Sequence, residues 1–397
     1  MNNKLKSHDD VLEAIAAAID IPDYMNERVC VRYQSIGKWL DREGSSIAHL
    51  TPSISPQGSF LLGTVIRPLG DTEAYDIDLV CRLDQTKTDT TMKELKEAVG
   101  HEVKSYAAVN NMQKEPEEAR RCWTLEYADE AQFHMDILPA IPDTENYRQK
   151  LVEARANDLL ADTKIVEDAI AITDKTLPQY NNVTADWPIS NPKGYATWFA
   201  SKQTDALNAR KGLLVEQGGY ASVDDVPYYK VKTPLQQSIQ LLKRHRDSMF
   251  EGDDDKPISV IITTLAAHAY QGEKSLSQAL RSILRDMQKF IYNKDGVVWI
   301  PNPVNPQENF ADKWAETPEK HQNFFLWLEK AQNHFGSYLA DSYENIPLPL
   351  QESMSETTIK KIEPLISSSE NKSVSDILLS EVDHVKTTGP ITKPWYG

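Results

Sequence analysis

The chain has 397 residues, enough for two packed lobes, and its 40% hydrophobic and 26% charged content is ordinary for a globular protein. With 43 basic against 59 acidic residues the net charge is −16, which argues against a long nucleic acid held by its backbone, since phosphate neutralisation asks for a basic face. No apolar run approaches the roughly 20 residues a bilayer demands, the N-terminus has no secretory h-region, and Cys30, Cys81 and Cys122 have no metal-ligand spacing, so a cytoplasmic protein with ordinary thiols is expected.

In chain order, Val11, Ile15, Ala18 and Ile19 recur at helical spacing, Pro22 interrupts, and Val29–Leu40 resumes the pattern. A turn-rich segment with two glycines and a proline spans Ile54 to Thr64. Tyr75–Leu83 alternates apolar Ile77, Leu79, Cys81 and Leu83 against Asp76, Asp78, Val80 and Arg82, the period of a strand. A helix is expected over Lys87–Asn110, then strands at Arg121–Tyr127 and Phe133–Pro139 joined by the turn Ala128–Gln132. From about Asn146 the pattern is almost wholly helical: Leu151–Asp174, Tyr195–Glu216, Leu235–Met249, Ile258–Tyr270, Ser275–Tyr292 and Pro318–Ala340. The order implies an α+β core with a small mixed sheet over residues 1–185, a helical lobe over 186–348, and a short helix with a flexible tail over 349–397.

Three segments carry chemistry. Asp76 and Asp78, two apart on a strand, share a face, and an adjacent strand about 5 Å away can place Asp136 beside them. Three carboxylates that close repel one another, and divalent cations with a preference for hard oxygen ligands, Mg²⁺ foremost, remove that cost. Two such ions together can activate an attacking hydroxyl and stabilise a leaving pyrophosphate. Gly58-Ser59, about 18 residues before Asp76, supplies a turn where backbone can approach a phosphate and a hydroxyl can donate to it. His134 is expected on the face opposite Asp136, as a core or surface histidine, and no histidine has the partners of a zinc site.

The Gly-Ser, Asp-x-Asp and later strand Asp resemble the signature of the polymerase-β-like nucleotidyltransferases. Within that superfamily, SPQGSFLLGTVIRP followed by YDIDLVC resembles the core of the bacterial cGAS/DncV-like enzymes (CD-NTases) of anti-phage signalling systems, a likeness running from about Met1 to Pro347. Asn191–Phe199 and Asn302–Trp314 resemble further family segments. The resemblance implies a bilobed cage in which Asp76 and Asp78 bind both Mg²⁺ ions (Mn²⁺ may substitute) and Asp136 assists with the one at the acceptor hydroxyl. It places Gly58, Ser59, Lys243 and Ser259 against the triphosphate. Lys243 otherwise reads as part of a solvated basic face, and Ser259 as a helix N-cap beside Pro257.

The implied activity joins nucleoside triphosphates, ATP among them, into a cyclic oligonucleotide messenger that a downstream effector binds. A linear oligonucleotide, an RNA or protein acceptor, or an inert nucleotide-binding module are the alternatives. A tail ending in Gly397 resembles those conjugated by partner proteins in some relatives, with an unstructured terminus as the simpler reading.

Overall fold

The computed structural model describes residues 5–70, 74–127, 133–217, 222–223, 226 and 228–367. The expected turn 128–132 and the C-terminal tail with Gly397 lie outside the described residues. Two helices open the chain, α1 (His8–Ile19), capped by Ser7, and α2 (Asp23–Leu40), which begins after Pro22. Strand β1 (Ser53–Pro56) leads into the five-residue helix α3 (Gly58–Leu62), which Gly63 ends in the left-handed region at φ +66°.

The site rests on a seven-stranded mixed sheet. Strand β2 (Tyr75–Arg82) pairs antiparallel with β1 and parallel with β5 (Phe133–Pro142). The long helix α4 (Met92–Val109), held at its start by a reciprocal Thr91–Glu94 capping box, crosses between them as a parallel pair requires. Short β3 (Glu117–Glu118) and β4 (Trp123–Tyr127) extend the far side in the order β1-β2-β5-β4-β3, while β6 (Ile170–Ile172) and β7 (Ile189–Ser190) continue from the end of β5. Ile77, Leu79, Cys81, Leu125, Met135 and Ile137 turn to one face and pack with Leu95, Val99 and Val103 of α4. Strand alternation turns the intervening residues to the opposite face, where Val80, Leu138 and Ala140 form a small separate apolar cluster with Ile170 and Ile172 and leave the rest of that face to polar residues.

A second core is helical. Pro234–Met249, Ser259–Ala269, Leu276–Asp286 and Pro318–Ala340 bury their apolar residues together, and α1 joins them although it precedes the sheet in sequence. The helices Leu348–Ser353 and Glu356–Ser367 close it with Leu350, Met354, Ile359 and Ile362. None of the described helices is long and apolar enough to cross a membrane.

Three helical expectations are corrected. Leu151–Asp174 is not one helix: it holds the end of Thr144–Glu153, two one-turn helices, and β6, because Arg155 turns left-handed (φ +55°) and β-branched Ile170 and Ile172 complete the sheet beside β5. Tyr195–Glu216 divides into Pro192–Ser201 and Thr204–Glu216, where Gln203 leaves the helix to accept a hydrogen bond from Thr233. Ser275–Tyr292 ends as an α-helix at Asp286, and Tyr292–Lys294 instead forms a hairpin with Val297–Trp299 around Asp295-Gly296, both with positive φ.

Candidate active site

Parallel pairing of β2 with β5 sets Asp76 opposite His134 and Asp78 opposite Asp136. All four project from the face that the apolar residues vacate. His134 thus shares the carboxylate face, contrary to the expectation above: residues 134 and 136 are two apart on a regular strand, while Phe133 and Met135 are the buried neighbours. On the next strand Thr124 stands opposite Asp136, and its hydroxyl donates to Asp136 Oδ1 at 2.5 Å. Burial, reinforced by a hydrogen bond and repulsion from Asp136, pushes the Cys122 thiol up to about 12.

The electrostatics are those of anions short of water. Asp78 is pushed up to about 6, first by burial and then by the charges of Asp136 and Asp76, with Lys243 opposing. Asp76 is raised as well, again first by burial, while His134 counteracts it. Hard oxygen donors that repel one another and are denied hydration suit a divalent cation in their midst. Gly58 adds a second sign of close packing there. At φ +60° it occupies the left-handed region, and a Cβ would run into the Asp78 carboxylate. Among the described residues no three His, Cys, Asp or Glu side chains stand close enough to enclose an ion as placed. Asp136 acts on both Asp76 and Asp78, and is itself engaged by Thr124.

One cleft of about 740 Å³ between the lobes is lined by Gly58, Ser59, Asp76, Asp78, Lys243 and Ser259, six of the seven residues singled out in the sequence. Asp136 adjoins it through its pairing with Asp78. The helix Pro234–Met249 is buried nearly all round, so its basic cluster is no solvated face: Lys243, Arg244 and Arg246 are 6%, 2% and 5% exposed. One side of this helix fastens the backbone that follows α3. Gln236 donates to Leu62 O at 2.9 Å, Gln240 to Val65 O at 2.8 Å, Lys243 to Thr64 O at 2.9 Å, and Arg244 to Arg67 O. These positions fall three to four residues apart, the spacing of one helix face. Burial lowers Lys243 to about 8, helped by Arg246 and opposed by Asp247, Asp78 and Asp76.

Ser259 is the first residue of its helix, not the cap, which is Ile258, and its hydroxyl accepts from Arg246 Nη2 at 3.2 Å. Arg246 and Lys256 bring further positive charge to the cleft, and neither was singled out by sequence. Thr124 was missed too, though strand register alone would have found it, one strand over from Asp136. Of the other histidines, His245 packs against His334 and His268 stacks on Phe290, both structural places.

Residues 52–139, which hold α3, β2 and β5 as far as Pro139, match the family described as "Cyclic GMP-AMP synthase DncV-like, nucleotidyltransferase domain". The chain carries a DncV-like nucleotidyltransferase domain. It is 29% identical over 330 residues to a c-di-GMP synthase of Roseivirga ehrenbergii, covering 82% of this chain and 78% of that one. It is 25% identical over 336 residues to the cyclic dinucleotide synthase CdnG of Bradyrhizobium diazoefficiens, covering 82% and 74%. The structure of that CdnG in complex with GTP superposes with a TM-score of 0.66 at 22% identity, over 89% of this chain and 97% of the other. The DncV-like domain is thus set in a CD-NTase fold that spans both lobes.

Proposed function

We infer that the protein condenses nucleoside triphosphates into a cyclic oligonucleotide with release of pyrophosphate, and that the product is a cyclic dinucleotide containing guanosine. The observation that carries this is the pair Asp76 and Asp78, set on one strand face in a deep cleft opposite Gly58, Ser59 and Lys243. The names of the relatives, a c-di-GMP synthase and CdnG, support the dinucleotide and the guanine. A role in anti-phage signalling, with an effector that binds the product, accords with the CD-NTase resemblance.

Nucleotidyltransferases of this type depend on metal. Asp76 and Asp78 would hold two Mg²⁺ ions, with Asp136 reaching the one beside the acceptor, and the ions would supply activation of the acceptor hydroxyl and charge neutralisation at the triphosphate. The chain's own groups do the positioning. Gly58 lets the backbone approach the β- and γ-phosphates, and Ser59 adds a hydroxyl donor. Lys243, held at Thr64 O and beside both carboxylates, offers a compact positive charge to the same phosphates. Thr124 orients Asp136 toward the acceptor. Walls that withhold water from Asp78 strengthen each of these contacts.

The test incubates the protein with all four ribonucleoside triphosphates and Mg²⁺ or Mn²⁺, beside an Asp76→Ala/Asp78→Ala control. Phosphatase treatment followed by mass spectrometry should leave a resistant cyclic species made only by the native protein. Phosphatase-sensitive linear products would instead assign it to the makers of linear oligonucleotides.

A further inference from the structure

The cleft is chemically polarised along its length. At one end Lys243, Lys256 and Arg246 line the cleft with the Asp76–Asp78 pair, and the charges of Lys243 and Lys256 act on Asp76. On the side of the C-terminal hairpin the same cleft presents Glu308, on which the charges of Arg121 and Asp312 act. A triphosphate is drawn to the first end and repelled from the second. The base of a bound nucleotide is therefore directed to Glu308.

Glu308 is built for that place. It lies on the strand Asn305–Asn309, which pairs back on Pro301–Asn302. The buried Asn302 amide donates to Glu308 Oε2 at 2.7 Å, while Asn302 Oδ1 accepts from Val304 N at 3.0 Å, so the carboxylate is held by a side chain that is itself fixed. Glu308 forms no salt bridge with a described residue. Its side chain is exposed and open to the cleft, where partial desolvation raises its carboxyl pKa. Phe310 and Tyr195, with ring centroids 6.4 Å apart, give the same end an apolar wall that suits a flat ring.

We propose that Glu308, positioned by Asn302, is the residue that selects guanine, accepting hydrogen bonds from N1–H and the 2-amino group of the base. Only guanine among the common bases offers two adjacent donors on its pairing edge. Adenine and cytosine pair a donor with an acceptor, and uracil flanks one donor with acceptors. A carboxylate, which only accepts, meets the first pattern with both oxygens and confronts the others with an unpaired acceptor or a repelled one. Arg121, whose charge acts on Glu308, stands three residues before Thr124 and next to Cys122, the two residues that contact Asp136. That neighbourhood assigns the guanine to the nucleotide whose hydroxyl attacks. Glu251 and Asp254 also line the cleft and are exposed as Glu308 is, but they lie in the loop after Met249, and among the described residues no amide of the kind that holds Glu308 fixes either carboxylate.

This assignment rests on the nucleotidyltransferase reading and is tested separately from it with inosine triphosphate, which differs from GTP only in lacking the 2-amino group. The native protein should use GTP over inosine triphosphate by roughly tenfold or more in kcat/KM, the worth of a hydrogen bond to a charged acceptor. Glu308→Gln should bring that ratio near one, chiefly through KM, while its turnover of inosine triphosphate shows that the chain remains folded and competent. Should the variant turn over neither, equilibrium binding of the two nucleotides in Ca²⁺ gives the same ratio. A native protein indifferent to the 2-amino group overturns the proposal. So does a Glu308→Gln variant that keeps the full preference, or a preference lost instead in Glu251→Gln or Asp254→Asn. Absence of any cyclic product from the native protein would overturn the function above, and the binding ratio would still decide Glu308.

Discussion

Asp78 should be a residue the protein carries at the expense of its own stability. Its carboxyl is raised from an ordinary 3.8 to about 6 by burial and by Asp136 and Asp76. That rise converts to about 3 kcal/mol at about 1.4 kcal/mol per tenfold, and partial solvent access reduces it to about 1–2 kcal/mol. The sign follows from proton linkage. Because the folded state holds its proton more tightly than the unfolded chain, stability falls as pH rises from about 4 through 6, and the full penalty is present above that. Asp78→Asn removes the charge at nearly constant shape, and Asp76 and Asp247 remain beside Lys243. The variant should lose cyclic product, yet in EDTA at pH 7.5 its urea midpoint should exceed that of the native protein. The excess should shrink toward pH 4. Added Mg²⁺ should raise the midpoint of the native protein and much less that of the variant, closing the gap. A variant no more stable than the native chain in EDTA at pH 7.5 would refute the reasoning, because burial and repulsion at Asp78 would then be compensated in the protein itself.

Other perturbations follow from the same geometry. Gly58→Ala places a Cβ against the Asp78 carboxylate in a left-handed backbone, and should cut turnover at least tenfold, measured with GTP, for about 1 kcal/mol of stability. Thr124→Val removes the hydroxyl that holds Asp136 Oδ1, and should lower kcat several-fold with little change in KM for either nucleotide. Lys243, lowered to about 8, loses its charge as pH rises through that value, so KM for nucleotide should climb above pH 8 in the native protein, and Lys243→Met should show a raised KM with no such rise.

What was legible in the sequence was whatever a short period or a close spacing encodes. The two-residue period of Tyr75–Leu83 gave both the strand and the shared face of Asp76 and Asp78, and the apolar positions of that strand lie in the core as their spacing demands. The same rule, applied consistently, would have put His134 beside Asp136. Helix Pro318–Ala340 was legible to the residue because Pro318 marks its first turn and its apolar stripe is unbroken. Sequence reading failed where a partner distant in the chain decides. Ile170–Ile172 reads as helix until the end of β5 is there to pair with it, and the basic run Lys243–Arg246 reads as a wet surface until the carbonyls of residues 64–67 and Pro257 are there to accept. Glu308 carries no local signal, since its meaning depends on which end of the cleft it faces.

The burial of Lys243 and Arg244 explains how two lobes with separate cores present a single site. Burying charged groups is costly unless each finds a partner, and these find backbone carbonyls of the segment just after Gly58-Ser59. Sliding the lobes apart would strand Lys243, Arg244 and the amides of Gln236 and Gln240 together, so the contact is made as a unit or not at all. The phosphate-facing turn and the helix that brings Lys243 are thereby fixed relative to each other before substrate arrives, which is the preorganisation that charge stabilisation at a triphosphate requires. An acidic chain can then hold a polyanionic substrate, because positive charge is placed at depth in the cleft, against the carboxylates.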